Sequence, residues 1–192
     1  MTQEEQAVLD RFNADNWAML YRCRWSPEDA DEVVPQLMQL LESSDPEIQQ
    51  ETLRALFRIG TPAAAAADQV AALTRSSVPM TKRLAVLALG QIAHQLPEVC
   101  VDPVAETLSD PECCRDALRI LAYLGKAAAG ALEAVKPLLT NPDVKVRRDA
   151  VKALAKMKPA NPQVIDLIHA ATNDRSKIVR EAASKCLKSF GE

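Results

Sequence analysis

The feature that most constrains this chain is a register of apolar residues that returns every 32 or 33 positions. Ile48, Thr52, Ala55, Leu56 and Ile59 open the series, and Thr81, Ala85, Ala88, Leu89 and Ile92 follow. Then come Cys113, Ala117, Ile120, Leu121 and Leu124, and after them Val146, Ala150, Ala153, Leu154 and Met157. Val179, Ala183, Cys186, Leu187 and Phe190 close it. Within each set the spacing is i, i+4, i+7, i+8 and i+11, the apolar stripe of an amphipathic helix. Small residues fill the second column, where neighbouring helices must approach closely. Leucine fills the fourth in every set. Pro46, Pro79, Pro111 and Pro142 precede the stripes, where proline can start a helix harmlessly. Gly60, Gly125 and Gly191 lie just beyond them, where a left-handed residue can end one. We term these the A helices.

A second apolar pattern lies between the first. Its columns are Val34, Ala67, Val101, Leu132 and Ile165; Leu37, Val70, Val104, Val135 and Ile168; and Leu41, Thr74, Leu108, Leu139 and Thr172. These are the B helices, with a one-residue drift in the third set that a loop can absorb. One helical hairpin cannot bury its own apolar face, so the hairpins must stack. Composition agrees: aromatics make up only 4% of the chain, which favours close helix packing over a β-sandwich. The expected fold is all-α, with about five helical hairpins and terminal capping helices in a single domain over residues 1–192. Residues 1–44 form the N-terminal cap and first hairpin, 45–173 the repeats, and 174–192 the C-terminal capping helix. The unit near Ser77 departs from the pattern by placing Thr81 where an aliphatic residue is usual, so local irregularity is expected there.

The stretch Asn141–Met157, NPDVKVRRDAVKALAKM, resembles the A helix of HEAT repeats, especially the short bacterial kind also found in phycobilisome lyases. Val33–Leu41, VVPQLMQLL, resembles the matching B helix. The resemblance covers roughly residues 28–191. It implies a right-handed α-α superhelix with A helices on the convex face and B helices on the concave face, along which partners often lie. It also implies that the basic column Gln49, Lys82, Cys114, Arg147, Arg180 is structural, supporting the next turn through an Asp or a backbone carbonyl. The motif residues are structural and almost silent on function.

Charge is divided along the chain. Residues 1–110 hold 8 Lys/Arg against 17 Asp/Glu, and residues 111–192 hold 15 against 9. One B-helix column reads Pro35, Asp68, Asp102, Glu133, Asp166, with Lys136 and His169 in a neighbouring column. Two readings stand: an acidic stripe that binds a basic partner segment, or a solvated face with carboxylates near helix starts. Lys145, Arg148, Lys152, Lys156, Lys177, Lys185 and Lys188 fall outside the apolar stripes of the last A helices. They read as a phosphate-binding patch or as a solubilising exterior. Phe12, Trp17, Tyr21 and Trp25 cap an alanine-rich core or anchor a partner.

Signs of catalysis are few. His94 and His169 fall on different helix types in different units, and no His is followed by Glu. The glycines form no phosphate-cradling loop. Cys113 and Cys186 occupy core columns, and Cys23 and Cys100 have no nearby His to activate them. The odd number of cysteines and a polar start, MTQEEQ, point to a reduced, cytoplasmic protein. No apolar run approaches the roughly 20 residues of a membrane span. The expected function is therefore a non-catalytic scaffold or adaptor for a protein or peptide, without cofactor or metal and with nucleic acid disfavoured. It would act through Asp68, Asp102, Glu133, Lys136, Asp166 and His169. The alternatives are a bilin lyase-like protein, which the resemblance allows, or nucleic-acid contact through the basic C-terminal convex face.

Overall fold

The computed structural model describes residues 27–92, 96–157 and 161–190. Among these residues every regular element is helical. The chain divides into two compact units, residues 1–103 and 104–192. Residues 1–26 of the expected N-terminal cap, with its four aromatics, and also His94 and Gly191, lie outside the described residues.

The first unit contains α1 (Pro27–Leu41), α2 (Pro46–Ile59), a 3₁₀ segment (Thr61–Ala66) running into α3 (Ala67–Leu73), and α4 (Pro79–Ile92). It also holds the start of α5 (Pro97–Glu106), which crosses the boundary. The A-helix stripes of α2 and α4 are buried at every position, Thr52 and Thr81 included. Thr52 meets its burial cost by donating its hydroxyl to the Ile48 carbonyl, and Thr81 accepts from the Gln50 amide of α2. The irregularity expected near Ser77 does not interrupt α4, which is continuous. A polar core position with a partner on the next helix does not disturb the backbone.

At the start of α2, Asp45 takes extended backbone angles and accepts the Glu47 amide at 2.9 Å. Pro46, the first residue of the helix, has no N–H to leave unpaired. At the far end Gly60 turns the chain with φ 71° and ψ −138°, a region that residues with a Cβ rarely enter. A Cβ built at Gly60 meets nothing within 4 Å, so the penalty of substitution is purely one of backbone conformation. We expect Gly60→Ala to lower the unfolding free energy by about 1–3 kcal/mol in urea titration.

The second unit contains α6 (Cys114–Leu124), a composite B element, α8 (Val144–Met157), α9 (Pro162–Ala171) and α10 (Lys177–Phe190). The composite runs from a 3₁₀ segment (Gly125–Ala131) through α7 (Leu132–Val135) to a second 3₁₀ segment (Lys136–Thr140). Uniform B helices are therefore not what forms. Where a positive-φ glycine and an alanine run precede the B helix, after α2 and after α6, the first turns tighten to 3₁₀. Pro137, lacking an N–H, begins the second tightening. In this unit α8 packs against α6, α9 and α10. Leu121 and Leu154 are fully buried, as are Leu56 and Leu89 in the first unit, and Leu187 is 6% exposed. A further core column, Leu53, Val86, Leu118 and Val151, lies beside the periodic stripe and is fully buried. In α10 the corresponding residue is the exposed Ser184.

A column of short polar residues ends each B element. Ser43, Ser76, Asp110, Asn141 and Asp174 each accept the backbone amide two residues later. These turns set the chain for the next A helix by satisfying amides that no helix yet pairs. Their spacing of 31 to 34 residues was visible in the sequence.

Candidate functional site

The carboxylates of the B elements owe their placement to their neighbours. Asp68, Asp102, Glu133 and Asp166 each lie two positions before a fully buried anchor: Val70, Val104, Val135 and Ile168. Two residues apart on a helix is about 200° of rotation, so burying the anchor turns the carboxylate outward. All four acidic residues are exposed.

In the first unit, α1, α3 and α5 carry no lysine or arginine. Glu28, Asp31 and Glu32 of α1, Asp68 of α3, and Glu98 and Asp102 of α5 are exposed. The charge on these helices thus has one sign. In the second unit, Glu133 is joined by Lys136, whose ammonium also donates to Gln163 of α9 at 3.0 Å. The Lys136 side chain is only 17% exposed, which makes it a brace between successive B elements. His169 is exposed in the last turn of α9, and its carbonyl accepts the Thr172 hydroxyl.

The column of Gln49, Arg147 and Arg180 turns inward to the backbone. Gln49 donates to the Leu41 and Ser43 carbonyls, and Arg180 donates to the Asp174 carbonyl. Arg147, 4% exposed, forks onto both Asp174 carboxylate oxygens at 2.8 and 2.9 Å. It also reaches the Asn141 and Pro142 carbonyls. The hydrogen bonds from Arg147 hold the Asp174 carboxyl below the usual carboxylate range. The position serves the fold.

Of the basic residues of the last A helices, Lys145, Lys152, Lys156, Lys177, Lys185 and Lys188 are exposed. Arg148 is not part of that surface, because it pairs with the buried Asp149, which Arg115 also reaches at 3.3 Å. Lys177, Arg180, Glu181, Ser184, Lys185 and Lys188 line an open groove of about 510 Å³ along α10.

Three of the described thiols, Cys100, Cys114 and Cys186, are poorly suited to nucleophilic chemistry. Cys100 is fully buried, and burial pushes its thiol up to about 12. Burial also raises Cys114, with Asp143 and Asp149 adding to the effect, and raises Cys186 against the opposing pull of nearby lysines. A thiol held protonated is a weak nucleophile. Among the described residues no group of three or more His, Cys, Asp or Glu could hold a metal ion, and no helix is long and apolar enough to cross a membrane.

Residues 101–188 match the model for HEAT repeats, and residues 30–60 match that for the Armadillo/beta-catenin-like repeat. No curated protein matches the chain. Among solved structures, an engineered protein aligns at a TM-score of 0.70 and 19% identity, over 99% of this chain and 97% of that one. A designed armadillo repeat protein in complex with the peptide (KR)4 aligns at a TM-score of 0.70 and 17% identity, over 98% of this chain and all of that one. A computationally designed armadillo repeat protein for modular peptide recognition aligns at 0.68 and 17%, over 97% and 99%. At these identities the likeness is one of fold.

Proposed function

We propose, from the premise that this chain is a HEAT-like repeat protein, that it acts as a non-catalytic scaffold holding a basic peptide segment against its B helices. The observation that carries this reading is the recurrence of an exposed carboxylate at the same column of four successive B elements, each two positions before a buried anchor. Adjacent packed helices lie about 8–10 Å apart, and an extended peptide rises about 3.3 Å per residue. One carboxylate per repeat therefore matches a basic side chain at every second or third peptide position. Asp68 and Asp102 occupy this column in the first unit, and Glu133 and Asp166 in the second. Glu28, Asp31, Glu32 and Glu98 extend the negative field of the first unit and steer a cationic segment toward it. Lys136 holds Glu133 in place, and His169 borders the position of Asp166. The (KR)4 peptide bound by one structural neighbour has the chemistry this face would accept.

Exposed ion pairs are individually weak, about 0.2–1 kcal/mol each, so affinity depends on their number. Replacing Asp68, Asp102 and Asp166 with Asn and Glu133 with Gln is expected to raise the Kd for a labelled lysine-arginine peptide about tenfold. It should also flatten the dependence of binding on salt. Fluorescence anisotropy at low and moderate ionic strength measures both. Equal affinity of the parent and the substituted chain at low salt would rule out this face as the binding surface.

A further inference from the structure

The last two A helices carry positive charge that nothing on them neutralises. In earlier A helices acid and base answer each other, Glu51 with Arg54 in α2 and Asp116 with Arg119 in α6. α8 and α10 hold one acid each. Asp149 is buried and taken by Arg115 and Arg148, and Glu181 faces Lys177 at 3.7 Å. Lys145, Lys152, Lys156, Lys185 and Lys188 are exposed and have no ion-pair partner among the described residues. Lys152 and Lys156 stand at i, i+4 and Lys185 and Lys188 at i, i+3, spacings at which like charges repel. α8 packs against α10, and the lysines of the two helices converge. Burial raises the Cys186 thiol, while Lys152, Lys156 and Lys185 all pull against it. Three ammonium groups from two helices therefore stand about one half-buried side chain.

The first unit shows the opposite arrangement. α1, α3 and α5 carry no lysine or arginine. Glu28, Asp31, Glu32, Asp68, Glu98 and Asp102 are exposed, without an ion-pair partner among the described residues. One chain thus bears two surfaces of uncompensated charge, opposite in sign. Its net charge is only −3, so whole copies repel one another little. The separation of charge is what acts between them.

We propose that the lysine surface of α8 and α10 docks the acidic face of α1, α3 and α5 of a second copy of this chain. The contact rests on the proposed function for its acidic half; its basic half is a surface that function does not use. A nucleic acid would meet the same lysines, but the acidic first unit repels a polyanion. A second copy brings the counter-charge that both surfaces lack. Because the two surfaces differ, the contact is heterologous, and copies add head to tail into a ring or an open chain. Exposed ion pairs are individually weak, so the association depends on concentration and is strongest at low salt.

The test is sedimentation velocity of the full chain at about 0.01 M and about 0.3 M salt, where screening differs several-fold. One variant neutralises the basic surface (Lys152, Lys156, Lys185 and Lys188 to Gln). Another neutralises the acidic face (Glu28, Glu32 and Glu98 to Gln; Asp31, Asp68 and Asp102 to Asn). A control carries Gln at four exposed cations elsewhere, Arg58, Arg75, Arg83 and Lys126, and matches the first variant in net charge. The parent and the control are expected to self-associate at low salt and to disperse at high salt. Each single-surface variant should show a self-association Kd raised at least about tenfold. An equimolar mixture of the two variants should form a complex of two chains and nothing larger, since each keeps one usable surface. A parent that stays monomeric at low salt, a mixture that stays monomeric, or a control that behaves like the basic-surface variant would overturn the proposal. The basic-surface variant should bind (KR)4 as the parent does, so loss of self-association with peptide binding intact would sink this contact alone.

Discussion

Truncating Leu154 to alanine is expected to lower the unfolding free energy of the second unit by about 3–4 kcal/mol. Leu154 is fully buried in α8, the helix that packs against α6, α9 and α10. Leu118, Leu121, Val151 and Ile168 are themselves fully buried in the same unit. Several helices hold the site open, so the lost methylenes leave a void that the surroundings cannot fill by moving one element. Both the transfer free energy and the packing of the void's walls are then lost. Ile178→Ala is the control: Ile178 is 53% exposed on α10, and its truncation is expected to change stability by no more than about 1 kcal/mol. Urea unfolding followed by far-ultraviolet circular dichroism measures both. If Leu154→Ala cost no more than Ile178→Ala, the leucine column would not be the spine of the repeat.

The pair formed by Arg147 and Asp174 produces the second large effect. Asp174→Ala is expected to cost about 3 kcal/mol, because it leaves a buried guanidinium without its carboxylate. Arg147 would keep the Asn141 and Pro142 carbonyls, but neither supplies a charge. The same substitution removes the acceptor of the Ser176 amide, the turn that leads into α10. An exposed pair behaves differently. Glu181→Ala, which breaks the 3.7 Å contact with Lys177, should cost less than about 1 kcal/mol. The Asp174 carboxyl titrates below its ordinary value because Arg147 hydrogen-bonds its ionised form. Its stabilising contribution is therefore complete above the unfolded-state value of about 3.9 and is lost as pH falls through the lower folded value. The stability difference between the parent chain and Asp174→Ala should be constant near neutrality and shrink below about pH 4. A difference that grows on acidification would contradict this assignment.

The repeat was legible in the sequence because its signal is redundant. Five stripes with a leucine at the same place reinforce one another, and the burial of Leu56, Leu89, Leu121, Leu154 and Leu187 follows the register. The inward role of Arg147 was legible for the same reason, as one position in a repeating column. Other features were less visible. The column of Leu53, Val86, Leu118 and Val151 lies beside the main stripe, and one amphipathic stripe already accounted for the helices. The 3₁₀ turns before α3 and α7 depend on backbone angles at Gly60 and Gly125 that periodicity does not report. Lys136 and Arg148 read as surface cations because sequence spacing does not show that Gln163 and Asp149 lie within reach. Leu84 and Leu87 of α4, both half-buried, interrupt columns that are otherwise mostly charged, a departure that is visible in the sequence. Thr81 breaks the apolar register more visibly, and Gln50 satisfies its polarity.

The central functional claim is that the exposed carboxylates of the B elements receive a cationic peptide. A titration of the isotopically labelled full chain with a lysine-arginine peptide, followed by amide chemical shifts, tests it most directly. Shifts concentrated on α1, α3, α5, α7 and α9, around Asp68, Asp102, Glu133 and Asp166, are the expected result. Shifts confined to the A helices, or none at a peptide concentration that saturates binding, would contradict it.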